Sequence, residues 1–317
     1  MFSKILAKLS KKNKNCDVCA IVVTFNRQRM LRENLSALLS QSRDCDIIVI
    51  DNASTDGTSD YVRGIAQSNP RVTYINTERN RGGSYGFSLG LACAFNMGYS
   101  YSWLMDDDAI PTRNALESLI HKSNEIENQF SFLAGVVRWT DGRLFPMNIP
   151  CFSQNANLHI DTIRQHNLCL IDSCSFVGCF VNMAVALNTA LPVADFFIYG
   201  DDVEYTQRLR KLAPAYLDLD CELVHKAPSI AGSDITFSSD DRIDRFYHQS
   251  RNGVYIAKQN GINGVVKRLC LILKRSASIL KNSKSRKIKR LTVLWKGTIA
   301  GLFFDPELVY PSDCINI

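Results

Sequence analysis

"YSWLMDDDAI", Tyr101–Ile110, sets three aspartates directly behind an apolar run. Adjacent like charges repel, and each carboxylate resists losing its water. Two readings fit: a polar turn that caps the next helix, or a cage for a cation. The segments on either side decide between them by fixing the fold.

Upstream, strand-like and helix-like stretches alternate. "VCAIVVTF" is a β-rich apolar run, and "RQRMLRENLSALLSQS" places Met30, Leu31, Leu35, Leu38 and Leu39 on one helical face. "CDIIVIDNAS" reads as a second buried strand, with Thr55 or Asp56 placed to cap the helix after it. "RVTYIN" is a third strand, "RGGSYGFSLGLACAFNMG" a glycine-rich helix entry, and "YSWLM" the fourth strand. This βαβαβαβ order predicts an α/β fold: a mixed, mostly parallel sheet flanked by helices. In such sheets ligands bind beyond the carboxyl ends of the strands. Thr24 to Arg27, Asp51-Asn52, Asn80 to Gly83 and Asp106 to Asp108 all follow strands in this way. Four polar clusters therefore converge on one sheet edge.

Downstream, "FSFLAGVVRW" and "RLFPMNI" precede a weakly patterned polar stretch to about Leu168. "IDSCSFVGCFVNMAVAL" resumes apolar strands, and "FFIYGDDVEYTQRLRKLA" is a loop entering a helix. Asp201, Asp202 and Glu204 occupy its first turn, where the helix dipole favours acids. "PAYLDLDCELVHKAP" is a strand leading to His225, and from about Asp240 the chain looks helical. The expected divisions are a basic segment 1–16, a main domain 17–235 and a helical region 236–317, with a loose boundary near Gly232-Ser233. Trp139 and the run Phe176 to Phe180 could wall a binding site, but core packing is the weightier reading.

Composition is that of an ordinary globular protein, 46% hydrophobic and 21% charged over 317 residues. No apolar run reaches the ~18–20 residues that span a bilayer, and the lysine-dotted N-terminus lacks the features of an export signal. The eleven cysteines read as reduced thiols acting as small hydrophobes, "CDVC" at Cys16–Cys19 included. The net charge of +6 is uneven. Lysines crowd the start, and from Lys267 to Lys296 cations alternate with Leu, Ile, Val and Trp295 at helical spacing. That pattern fits a basic amphipathic helix on an anionic membrane surface, or a solvated face packed on the domain. No nucleic-acid-binding motif accompanies the charge.

Taken together, "VVTFNR", "VIDNASTDGT", "NRGGSYGFSLG", "WLMDDDAI", "FFIYGDDVEYTQRLR" and "LVHK" resemble the inverting glycosyltransferases of family two, which have a GT-A fold. The resemblance runs from about Cys19 to His225, with a weaker echo in "DRFYHQSRNGVYIA". "TFNR", "NRGGSYGF", "DDDA" and "GDDVEY" are more particularly similar to bacterial and mycobacterial galactofuranosyltransferases, which use UDP-galactofuranose. The resemblance implies Asp106, Asp108 and His225 as ligands of Mn²⁺ or Mg²⁺, hard cations that prefer oxygen donors. It implies Asp202 as the base that takes the acceptor's proton, with Asp201 and Glu204 orienting the acceptor or supporting the base. Thr24, Asn26, Arg27, Asp51, Asn52, Arg81, Gly82 and Gly83 would line the UDP-sugar site, and Asp107 could face a sugar hydroxyl or ribose. The implied partners are a UDP-sugar donor, a lipid-linked glycan acceptor and the cytoplasmic face of a bacterial membrane. Rival readings are a relative using dTDP-rhamnose or a UDP-hexopyranose, a nucleotidyltransferase, and a non-catalytic partner in glycan assembly.

Overall fold

The computed structural model describes residues 2, 5–7, 14–229 and 234–315. Lys4, Lys8, Lys11 and Lys12 of the basic N-terminal segment, and the boundary at Gly232-Ser233, lie outside the described residues.

The first half alternates as its pattern predicts: β1 (Val18–Thr24), α1 (Gln28–Leu39), β2 (Asp46–Asp51), α2 (Thr58–Ser68), β3 (Val72–Asn76), α3 (Gly83–Asn96) and β4 (Tyr101–Asp106). Then come β5 (Ala109–Pro111), α4 (Ala115–Glu125), β6 (Phe132–Trp139), β7 (Cys151–Phe152), α5 (Ile160–His166), β8 (Leu168–Ser173) and β9 (Cys179–Asn182). The acidic turn opens α6 (Asp201–Arg210), and β10 (Ala215–His225) follows. Three helices close the chain: α7 (Phe246–Gln259), α8 (Gly261–Asn282) and α9 (Lys287–Phe303). The unpatterned stretch before Leu168 holds β7 and α5, too short for a period to show, and α5 has no buried residue.

The strands form one mixed sheet in the order β3-β2-β1-β4-β9-β6-β10-β8-β7, with β5 paired to β10. The first four pair in parallel, as do β6 and β10, while β9, β8, β7 and β5 run antiparallel to their neighbours. Strand β1 is buried along its whole length because both faces of the sheet are covered. Val18, Ala20 and Val22 join one apolar cluster, and Cys19, Ile21 and Val23 the other, as a two-residue period requires. Helix α3 lies close on the second face, buried from Ser84 to Phe95. Its glycines permit that approach: a Cβ on Gly90 would sit 2.3 Å from Ile21 Cγ2, and one on Gly86 2.6 Å from Val23 Cγ1.

The closing helices share a small core of Ile235, Phe246, Ile272, Ile279 and Leu294. Helix α9 meets α7 backbone to backbone. A Cβ on Gly297 would lie 2.4 Å from the Tyr247 carbonyl oxygen, and one on Gly301 2.5 Å from that of Arg251. Among the described residues no helix is long and apolar enough to cross a membrane.

Candidate active site

Strand β4 ends at Asp106, and β5 begins at Ala109, so the aspartates turn the chain from one strand to the next. β5 pairs antiparallel with the end of β10, setting Ala109 opposite His225, and Lys226 N donates to the Asp108 carbonyl at 2.8 Å. Backbone pairing thus delivers His225 to the triplet. Ligand atoms of Asp106, Asp108 and His225 all lie within 4.8 Å of one another.

The electrostatics show why such a cluster invites a cation. Burial, then the charge of Asp108, pushes Asp106 well above the usual carboxylate range. Burial also raises Asp108, but its contacts with His225 and Arg27 outweigh that and leave it low. Asp108 Oδ1 is buried and has no hydrogen-bond partner, although His225 Nε2 lies 3.1 Å away. Asn148 Nδ2 donates to Ser175 Oγ at 2.7 Å, which turns Asn148 Oδ1 toward His225 Nδ1, also at 2.7 Å. An Nδ1–H would donate to that oxygen and leave Nε2 free to serve as a metal ligand. Metal bonds of about 2.1 Å at right angles put neighbouring donors about 3 Å apart, which is the separation of Asp108 Oδ1 and His225 Nε2. The donor set, two carboxylates and one neutral imidazole, fits Mg²⁺ or Mn²⁺.

Asp107 points elsewhere. It accepts from Thr24 Oγ1 at 2.7 Å and from Arg27 Nη1 at 3.4 Å, while the same Arg27 nitrogen donates to Asp108 Oδ2 at 2.5 Å. Burial pushes Asp107 up to about 6, against the pull of Arg27. Its carboxylate therefore fastens the loop after β1 to the triplet, and both its oxygens are taken by protein donors. Asp51 is similarly occupied, accepting from Ser54 N at 2.9 Å and Tyr74 Oη at 2.7 Å. Asn26, at φ 53°, accepts from Thr55 N at 2.7 Å, and Asp56 accepts from both Gln28 N and Thr58 N at the starts of α1 and α2. Asn52 Nδ2 donates to the Gly82 carbonyl at 3.2 Å, joining the second and third strand-end loops. Arg81 stacks on Tyr85, and Gly83 begins α3.

The acidic turn opens α6 behind Gly200, whose φ of 86° suits glycine alone. Asp201 is buried and Asp202 partly exposed, with Asp202 Oδ1 accepting from Val203 N at 2.8 Å. Loss of water raises both carboxyls above the ordinary aspartate range, and the Asp202 charge raises Asp201 further. Glu204 is buried and paired within the protein. It is gripped by Arg208 at 2.7 Å and 2.9 Å and by Gln259 at 3.0 Å, so it braces the helix. Phe176 and Phe180 are buried in the two core clusters, and Trp139 Nε1 donates to the Ala227 carbonyl.

Two short links join the cation cluster to the acids. Ser175 holds Asn148, and its neighbour Cys174 N donates at 3.3 Å to Thr206 Oγ1, whose hydroxyl donates to the Asp202 carbonyl at 2.7 Å. Sequence reasoning missed Asn148, Ser175 and Thr206. Asn148 and Ser175 sit in no motif, and Thr206, although inside "FFIYGDDVEYTQRLR", meets Cys174 32 positions away.

A mixed sheet that gathers a possible metal site and an acidic helix beyond its strand ends is the GT-A arrangement, and the protein is a glycosyltransferase. The chain belongs to glycosyl transferase family 2, whose family model matches residues 19–183. Among proteins of known activity it is similar to the galactofuranosyltransferase GlfT1 of Mycolicibacterium smegmatis. The two are 29% identical over 259 residues, covering 77% of this chain and 84% of the relative. Among solved structures, the mannosyltransferase PcManGT of Pyrobaculum calidifontis, in complex with GDP-Man and Mn²⁺, has the same fold. Its TM-score is 0.57 at 14% identity, covering 95% of this chain and 93% of that one. S. aureus TarS in complex with UDP gives a TM-score of 0.54 at 14% identity, over 87% and 69% of the two chains.

Proposed function

We propose that this glycosyltransferase moves galactofuranose from UDP-galactofuranose, with inversion, to a hydroxyl of a lipid-linked glycan in bacterial surface polysaccharide assembly. The observation that carries the transfer reading is the link from His225 through Asn148, Cys174–Ser175 and Thr206 to Asp202. It holds a leaving-group site and a candidate base in one frame. The sugar rests on the similarity to GlfT1.

Asp106, Asp108 and His225 would hold Mn²⁺ or Mg²⁺, which when bound offsets the charge that develops on the departing diphosphate. Arg27 stands beside that site with a guanidinium able to reach a phosphate. Asp202 accepts the proton of the acceptor hydroxyl, whose oxygen attacks the anomeric carbon as the bond to UDP breaks. The test is a panel of UDP-galactofuranose, dTDP-rhamnose and UDP-hexopyranoses with Mn²⁺ and a synthetic lipid acceptor. Turnover of dTDP-rhamnose without UDP-galactofuranose would overturn the sugar assignment.

Asn148→Ala removes the partner that fixes the His225 tautomer. It lowers Mn²⁺ affinity by about 10–100-fold, read by calorimetry at constant pH. Unchanged affinity would leave Asn148 with a packing role only.

For the acceptor's membrane, support comes from α8. Ile262, Val266, Leu269, Leu273 and Leu280 are exposed at spacings of four, three, four and seven, which is one side of a helix. Lys267, Lys274 and Lys281 are exposed alongside, every seventh residue. Trp295 of α9 joins this side through its indole hydrogen bond to Ser276 Oγ at 3.2 Å. Apolar residues flanked by lysines suit the surface of an anionic bilayer, where each lysine contributes about 1 kcal/mol. Replacing Lys267, Lys274 and Lys281 together with glutamate abolishes flotation with phosphatidylglycerol vesicles at low salt. Retained flotation would mean that other residues hold the bilayer, and a parent that does not float would mean that this face is merely solvated.

A further inference from the structure

The five residues before the acidic helix have an unusual backbone. Phe197 sits at φ 65° and ψ −57°, and Ile198 N donates to the Phe196 carbonyl at 2.7 Å. That is a γ-turn of the rare, strained hand. Tyr199 at φ 70° and Gly200 at φ 86° are also left-handed. Two side-chain-bearing residues in positive-φ conformations persist only when their surroundings hold them. Asp201 and Asp202 come next in the chain, so this turn sets the position of both carboxylates.

The hold comes from α7. Asn252 is 1% exposed, and its Nδ2 lies 3.1, 3.1 and 2.8 Å from the carbonyl oxygens of Phe196, Ile198 and Tyr199. The amide cannot turn over, because Arg251 Nε donates to Asn252 Oδ1 at 3.0 Å. Arg251 Nη2 adds bonds to the carbonyls of Asp195 at 2.6 Å and Phe196 at 3.2 Å. On the opposite side the turn presses on Gly82, where a Cβ would lie 2.1 Å from the Phe197 carbonyl oxygen, and Ser84 N donates to that oxygen at 3.3 Å.

We infer that Asn252 is a positioning residue for the transfer step: its amide gathers three carbonyls of the strained 196–199 turn and so fixes where Asp202 stands. The inference rests on Asp202 being the base. No carbonyl-rich turn would collect around a carboxylate, so the isosteric Asn252→Asp keeps the volume and inverts the interaction.

The experiment uses the full chain with UDP-galactofuranose, Mn²⁺ and the lipid acceptor. Asn252→Asp lowers kcat by about 100-fold, the cost of misplacing a catalytic group by roughly an ångström. Donor KM and UDP affinity by calorimetry stay near those of the parent, while the unfolding temperature falls, as a carboxylate buried among carbonyls requires. Adding Tyr199→Gly, which makes the left-handed residue unstrained, restores part of kcat in the Asn252→Asp background. If Asn252→Asp does not fold, Asn252→Ser, which retains one donor, takes its place. A fall in kcat without a fall in donor affinity supports the inference; unchanged kcat, or kcat and donor affinity falling in proportion, overturns it. Asp202→Asn measured in parallel separates the two ideas. An active Asp202→Asn removes the base, while an inactive one beside active Asn252 variants removes only the positioning role.

Discussion

Asp202→Asn lowers kcat by about 10²–10⁴-fold, the usual contribution of a positioned base. The substitution keeps shape and removes only the ability to take a proton. KM for the donor is therefore unchanged, the pattern expected when an interaction is made only in the transition state. The parent enzyme carries a pH signature of the same residue. Transfer needs the carboxylate form, so the rate falls as pH drops through its pKa. Burial raises that pKa, so the acid limb has its midpoint above the ordinary aspartate value of about 3.9. A limb at or below that value, or full activity in Asp202→Asn, would remove Asp202 as the base.

Asp108→Asn abolishes the stabilisation that Mn²⁺ gives the parent. A ligand that binds only the folded state stabilises it by about 2.7 kcal/mol at a hundredfold excess over Kd. The parent's unfolding temperature thus rises on adding Mn²⁺ and falls again with EDTA, while that of Asp108→Asn stays level. Asparagine still offers Arg27 an oxygen, so the contact at Asp108 Oδ2 is largely preserved. The facing pair of Asp108 Oδ1 and His225 Nε2 is what changes. A metal-dependent rise in the variant equal to the parent's would place the ion elsewhere.

Much of this site is legible in the chain itself. The triplet Asp106–Asp108 stands out because acids at a strand end demand a reason, and His225 through the place of "LVHK" in the family resemblance. Strand-end loops converge in any α/β sheet of this order, so Thr24, Asp51 and Gly82 could be placed together without coordinates. The orientation of each side chain could not. Asp107 and Asp51 look like ligand-facing acids in sequence, yet their oxygens are taken by Thr24, Arg27, Ser54 and Tyr74. Glu204 resembled an acceptor contact, although its pairing with Arg208 four residues on follows an ordinary helical rule. Asn148 left no trace, because an asparagine that binds a residue 77 positions away creates no period and no local motif; Asn252 lies within the weaker echo "DRFYHQSRNGVYIA", which gave it no role.

The paired glycines Gly297 and Gly301 carry a consequence for the whole chain. They seat α9 directly on the carbonyls of Tyr247 and Arg251, and Arg251 in turn grips the turn that leads to Asp201. A side chain at position 301 would therefore push on the proposed catalytic centre from behind, through Arg251 and the helix that carries it. The last helix acts as a keystone, and the geometry of the acids is set from a part of the chain a hundred residues away.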